Sequence, residues 1–444
     1  MKFRKFAAIL VTFTMVAGTL MGCNSSGQET VASKEETTGT KSSKAFDGVT
    51  LTMLKDTDTP DSGLNAVLAL AEEKLGITVE MESRVGGADG DNIVKTRLAS
   101  GDMADLCLYN SGSLLEALNP SEYFIDISGE EFVSRLDDTY KETVTVDGVT
   151  YGVPFSSTQA GGVLYYKPIY EELGLEVPDT WEEFLANCDA IEEAGKTAMI
   201  GTFGDSWTSQ VMYLGDNYNV LVANPTFAED FEAGTAKYAD TPEGVESFQK
   251  LVDVQKYYNE DYLAATYDDG CDMIANGEGT HWIILTQCLS NIYELYPEAI
   301  EDIGVFGIPG DEADNHGLTI WMPSSIYGNK NAENVDAVLA FMDFYTSDEA
   351  IDAYTSAVLP DGPYCIKGYE LPDNAYSAVK NDMQAYFDEG KTTVALEFLT
   401  AVKGSNCPSI CQEVGSGQTT ALAAAQAYDE DCKKQAMQLG LDWE

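Results

Sequence analysis

Positive charge is what this chain has least of: 25 Lys and Arg stand against 74 Asp and Glu in 444 residues, a formal charge of −49. A surface that negative repels phosphate backbones and anionic headgroups, which argues against nucleic-acid binding and against electrostatic docking on acidic membranes. Histidine is nearly absent. His281 and His316 are the only two, which leaves little room for histidine-based catalysis or a multi-histidine metal site. The cysteines show no CxxC pair and no zinc-like framework. Asp56-x-Asp58-x-x-Asp61 lacks the Gly and the distal Glu of an EF-hand loop, so it reads as a polar N-cap region before the helix around Leu64. Neither a metal nor any other cofactor is expected. What is present is ordinary globular material, 44% hydrophobic and 22% charged, with length for two or three domains.

The N-terminus sets the expected compartment. Lys2, Arg4 and Lys5 precede an apolar stretch from Phe6 to Met21, which Thr and Gly interrupt too often for a good spanning helix. It ends in Leu20-Met21-Gly22-Cys23, which resembles a bacterial lipoprotein box. That resemblance implies residues 1–22 as a signal peptide and a diacylated Cys23 as the first mature residue. Two acyl chains give a lasting anchor where one would hold only marginally. The competing reading is an ordinary secretory signal with an incidental Cys23. Residues 23–44 then form the acylated cysteine and a tether rich in Ser, Thr, Gly, Glu and Lys, too poor in large apolar side chains to fold. Cys107, Cys188, Cys271, Cys288, Cys365, Cys407, Cys411 and Cys432 read as buried free thiols. A small Cys407–Cys411 disulfide is the other possibility.

Beyond the tether, Val49, Leu51 and Met53 alternate with threonines as in a strand. Leu64, Val67, Leu68, Ala71 and Leu75 follow helical spacing. Ile77, Val79 and Met81 give a second strand, Asn92–Ser100 a helix, and Asp105–Tyr109 a third strand. This alternation predicts a parallel sheet with right-handed crossovers, whose ligands bind beyond the carboxyl ends of the strands. Farther on, Thr180-Trp181-Glu182-Glu183 reads as a capping box, and Trp181, Phe184, Leu185, Cys188 and Ile191 stripe the helix that follows. Apolar strands are expected at Trp282–Leu285, Ile303–Ile308 and Leu318–Met322, and helices at Ala332–Tyr345, Asp348–Ser356 and Gly417–Gly440.

The stretches Tyr151-Gly152-Val153-Pro154-Phe155, Gly162-Val163-Leu164-Tyr165-Tyr166-Lys167, Val177-Pro178 and Thr180-Trp181-Glu182-Glu183-Phe184 resemble the family 1 extracellular solute-binding proteins. These are the carbohydrate-type receptors of ATP-driven importers and relatives of maltose-binding protein. Gly101-Asp102-Met103-Ala104-Asp105, Ala275-Asn276-Gly277-Glu278, Ile308-Pro309-Gly310 and Phe341-to-Ala350 agree in the family's order. The resemblance implies an α/β, two-lobed, periplasmic-binding-protein-like fold of type II, with hinged lobes and a ligand cleft between them. It places residues 45–153 plus about 311–360 in lobe 1 and 154–310 plus about 361–444 in lobe 2. Crossings are expected near Tyr151–Gly161, Gly310–Leu318 and Leu359–Tyr369. Closure over the ligand would be driven by contacts made only in the closed form.

Sugars present apolar C–H faces and many hydroxyls, so a site for them needs aromatic platforms and Asp, Asn, Gln and Arg hydrogen-bonders. Of the five tryptophans, Trp181 is set aside to a helix stripe, Trp443 to the terminus and Trp282 to a strand core. Trp207, in Gly204-Asp205-Ser206-Trp207, is expected as a ligand platform rather than a core plug. Trp321, in Leu318-Thr319-Ile320-Trp321, is divided evenly between platform and core. Where the family commonly carries Gly-Ser-Trp, this chain has Leu285-Thr286-Gln287, so Gln287 is expected to hydrogen-bond where relatives stack. Asp56, Asp58, Tyr109, Asn110 and Gln159 stand at strand or hinge ends, and Asp361 and Tyr364 in a loop that lines the cleft in relatives. For the strand-end and hinge-end residues the other reading is a solvated loop.

The function these residues imply is a membrane-anchored receptor on the outer face of the bacterial membrane. It would capture a carbohydrate, an oligosaccharide by expectation, and deliver it as a monomer to the permease subunits of an ABC importer without doing chemistry. A receptor for a non-sugar solute on the same fold is the alternative. A lipid-anchored glycoside hydrolase is a weaker one, because no spacing singles out a pair of carboxylates.

Overall fold

Alternation in Val49–Asp56 buries Leu51 and Met53 completely, and the strand runs parallel to Ile77–Arg84 in register from Val49↔Ile77 to Asp56↔Arg84. The computed structural model describes residues 44–57, 61–313 and 316–443, and the chain from Lys44 onward forms one compact unit. In chain order its strands are β1 Val49–Asp56, β2 Ile77–Arg84, β3 Leu106–Tyr109, β4 Thr145–Val146, β5 Val149–Thr150 and β6 Gly152–Pro154. They continue with β7 Gln159–Tyr166, β8 His281–Leu285, β9 Ile303–Phe306, β10 Leu318–Trp321, β11 Ser325–Gly328 and β12 Thr392–Val394. Among the described residues no helix is long and apolar enough to cross a membrane.

Two five-stranded sheets organise the molecule. The first has the order β2-β1-β3-β11-β6, with β1 parallel to β2 and β3, and β11 antiparallel to β3 and β6. The second has the order β12-β10-β7-β8, with β9 also on β7. Helix Ser62–Leu75 buries Leu64, Val67 and Ala71 on the predicted stripe. In the second lobe, helix Trp181–Glu193 buries Trp181, Phe184, Cys188 and Ile191, and the Trp181 and Phe184 rings stack at 4.9 Å.

The expected boundaries need correction at two crossings. β10 belongs to the second sheet, pairing Trp321 with Gln159, so the chain returns to the first sheet between Trp321 and Ser325 and not near Gly310–Leu318. Pro323 lies in that gap and has no N–H to donate, which ends one ladder before the next begins. The third crossing is also later than expected. Tyr364 bridges to Ser157, Ile366 bridges to Leu136, and the Lys367 N–H donates to Arg135 O at 2.7 Å, so the chain is still beside the first sheet there. By Asp382, whose carboxylate accepts from the Val305 N–H at 3.0 Å, it has joined the second.

Three local features refine the expectations. The Thr180 hydroxyl accepts from the Glu183 N–H at 3.2 Å, but the Glu183 carboxylate takes the Asp179 N–H, one residue earlier than the capping box requires. The eight cysteines among the described residues are all buried and unpaired, Cys407 and Cys411 included. A buried ion pair, unforeseen in the sequence, lies inside the second lobe. Lys250 and Asp216 are each 1% exposed, joined at 2.5 Å, and completed by Pro309 O and the Ser247 hydroxyl.

Candidate ligand-binding cleft

The ends of several elements converge on a cavity of about 600 Å³. Asn110 and Ser111 follow β3, Phe155–Ser157 and Gln159 form the first crossing, Gln287 follows β8, and Trp321 ends β10. The loop through Leu359, Pro360, Asp361 and Tyr364 lines it as well, as do Glu397 and Phe398 of the short helix Leu396–Leu399. This is where sequence order dictates a site. Strands end, their backbone groups stop pairing with neighbours, and side chains from both sheets face one space.

Trp321 is half-buried, with its indole lying against Gly161 of the neighbouring strand. A Cβ at Gly161 would stand 2.7 Å from the ring, so glycine there is what lets the indole seat. The indole N–H donates to Glu397 Oε1 at 2.6 Å, and the other oxygen of Glu397 accepts from the Lys403 ammonium. The ring is therefore pinned along its edge. At the residue next to Glu397 the rim closes by contact: Gly112 has φ 67, and a Cβ there would lie 2.3 Å from Phe398 O. Beside it the Ser113 hydroxyl donates to Glu397 O at 2.9 Å, joining the helix after β3 to the segment after β12.

Asp361 accepts from the Ser290 hydroxyl at 2.5 Å, and burial pushes its carboxyl up to about 7 despite that bond. Tyr364 shares a 2.8 Å hydrogen bond with the Thr355 hydroxyl, and burial holds its phenol well above the ordinary value. Ser111 is 2% exposed, and its hydroxyl finds no partner among the described residues. The cleft thus offers one fixed indole face, four further aromatic side chains, two carboxyls, three amides and several hydroxyls. Amides, hydroxyls and carboxyls around an aromatic platform hold a ligand and orient it.

The sequence profile of the bacterial extracellular solute-binding protein family matches residues 56–352. The chain belongs to that family. The multiple sugar-binding protein of Streptococcus mutans is 24% identical over 298 residues, covering 65% of this chain and 68% of that protein. Among solved structures, the binding protein MsmE of Bacillus subtilis, in an open conformation, superposes with a TM-score of 0.72 at 15% identity, covering 88% of this chain and 98% of that one. The solute-binding protein RafE in complex with raffinose gives 0.66 at 21% identity, covering 87% and 100%. The fold is the two-lobed type II fold, and the two sheets above are the cores of its lobes.

Six of the residues singled out from this receptor's sequence line the cleft: Asn110, Gln159, Gln287, Trp321, Asp361 and Tyr364. Three do not join them. Tyr109 is 1% exposed, under an Arg84 guanidinium 5.7 Å from its ring centroid, and serves the core. Asp56 is half-buried at the end of β1, opposite Arg84 in the β2 register, and does not line this cavity. Trp207, expected as a platform, sits half-buried on the short helix Ser206–Ser209 with its ring 5.3 Å from that of Tyr267, and is absent from the lining. Asp58 and Cys23 lie outside the described residues. Glu397 and Ser290 were missed. No local pattern marks Glu397, because its partners Trp321 and Lys403 meet only through the fold.

Proposed function

We propose that this solute-binding protein captures an oligosaccharide in the cleft around Trp321 and presents it to the permease subunits of an ABC importer. The observation that carries the reading is the pinned indole of Trp321, its N–H on Glu397 and its ring on Gly161, in a cavity whose lining mixes apolar and aromatic side chains with amides, hydroxyls and carboxyls. A pyranose ring has an apolar C–H face to lay on that indole and equatorial hydroxyls for Asn110, Gln159, Gln287 and Asp361. An aromatic contact of this kind adds about 0.5–1.5 kcal/mol beyond burial. The likeness to a protein called a multiple sugar-binding protein and to one solved with raffinose supports the same ligand class.

No chemistry is assigned to the site: the receptor would bind its cargo and release it unchanged. In this reading Cys23 carries the lipid anchor, residues 24–44 are the tether, and a monomeric receptor works on the outer face of the bacterial membrane. Two experiments test it. A thermal-shift screen against raffinose, stachyose and chitin oligosaccharides, with peptides and polyamines as controls, should show a rise with a glycan class and no product. Ligand at 100 times its Kd stabilises by about 2.7 kcal/mol. Cys23→Ala should release the receptor from cells into the medium. A shift with a control class instead would give the non-sugar reading its first support, and a cleaved glycan would favour the hydrolase.

A further inference from the structure

The cleft holds charge of one sign. Among its lining residues are the carboxyls of Asp361 and Glu397 and no Lys, Arg or His. The two carboxyls are not equivalent. Glu397 is compensated, with the Lys403 ammonium on one oxygen and the Trp321 indole N–H on the other. Among the described residues Asp361 has the Ser290 hydroxyl and no cation. The titratable groups that face it are the phenols of Tyr267, Tyr354, Tyr364 and Tyr376 and the thiol of Cys288. Burial pushes every one of them up, so all stay protonated and neutral at physiological pH.

We propose that Asp361 makes the cleft select its cargo by charge, admitting neutral glycans and excluding those that carry a carboxylate or phosphate. The inference rests on the carbohydrate reading above and names the class within it. A second anion brought beside an uncompensated, poorly solvated carboxylate either bears the repulsion or forces the carboxyl to take a proton. The surrounding field of a chain at −49 acts in the same direction. With its carboxyl already raised to about 7, Asp361 takes that proton within reach of neutral pH, so the exclusion weakens as the medium becomes acidic. A sugar carboxylate stays ionised above about pH 5, so the titration that governs the effect belongs to the protein.

The test is calorimetry of the purified protein with raffinose, stachyose and chitin oligosaccharides, each against a carboxylate-bearing counterpart of the same length. Raffinose oxidised to the acid at galactose C6 is one such pair. At pH 8 the neutral member should bind at least about tenfold more tightly, the equivalent of one further unit on the Asp361 carboxyl. The gap should narrow at pH 6, and Asp361→Asn should narrow it at pH 8. The pH arm stands on the unmodified protein, so it decides even where the variant folds poorly. An acidic member that binds as tightly as its neutral partner at pH 8 overturns the inference while leaving the carbohydrate reading intact. So does a gap that neither pH nor Asp361→Asn moves. Should no glycan bind at all, the carbohydrate reading fails. The carboxyl titration of Asp361, followed by carbon NMR, then decides the charge claim: a midpoint near 7 supports an uncompensated carboxyl and a midpoint below about 5 overturns it.

Discussion

The indole N–H of Trp321 donates to Glu397 Oε1 at 2.6 Å across 76 residues of chain, fixing an aromatic face at the end of β10. Neither residue alone would make a platform: a free indole turns about its side-chain torsions, and a lone half-buried carboxylate would turn to solvent or another partner. Together with Lys403 and the bare backbone of Gly161, they leave the ring one seat.

Trp321→Ala removes that face and strips Glu397 of one partner. Glycan affinity should fall by about 1.5–3 kcal/mol, or tenfold to more than a hundredfold, by calorimetry. Trp321→Phe keeps the ring without the N–H and should lose less. Gly161→Val should resemble the alanine variant although residue 161 is not counted among the cleft's lining, because its side chain would occupy the indole's seat.

The rim at Gly112 and Phe398 joins the two lobes. A side chain at position 112 meets a carbonyl oxygen at 2.3 Å and a φ of 67 that side chains disfavour by about 1–2 kcal/mol. Gly112→Ala should therefore weaken ligand binding by about tenfold through a smaller closed population. Small-angle scattering should show a less compact particle at saturating ligand.

Much of the first lobe was legible locally. Period-two alternation marked β1 and β2, an apolar run marked β3, and the 3.6-residue stripe marked the helix at Leu64, because burial on one face leaves a signature within a dozen residues. What was not legible depends on pairs far apart in sequence. Lys250 looks like a solvated helix residue until Asp216 is brought beneath it. The indole of Trp207 had the loop context of a platform, but Tyr267 claims it. The sheet change at Pro323 was misplaced for a related reason: β10 reads as a strand in either lobe, and only its pairing with β7 decides.

Lys250→Met leaves the Asp216 carboxylate buried without its cation. The second lobe should lose about 3–5 kcal/mol in chemical denaturation. Lys250→Met with Asp216→Leu should recover much of that loss, since removing both charges restores an apolar contact. A double variant as unstable as the single would show that the pair does more than neutralise itself.

Stability should depend on pH through three buried groups. Burial raises Asp361 to about 7 and Asp429 to about 6 from an ordinary 3.8, so the folded chain holds protons there that the unfolded chain has released. Their cost to stability is present at alkaline pH and is relieved as pH falls through those values toward 3.8. His281, with Tyr170 on one nitrogen and Ala198 O on the other, is lowered to about 3 from 6.5, so it favours unfolding as pH drops below 6.5. The melting temperature of the ligand-free protein should therefore rise between about pH 8 and 6.5, and Asp361→Asn should flatten that limb.

The most direct measurement is calorimetric titration of the receptor with raffinose, stachyose and chitin oligosaccharides, alongside Trp321→Ala. The expected result is one neutral glycan class binding near micromolar Kd, about −8 kcal/mol, with the heat abolished or strongly reduced in the variant and the glycan recovered intact. Glycan binding that Trp321→Ala leaves unchanged, or a glycan recovered in pieces, would contradict a receptor built around the pinned indole.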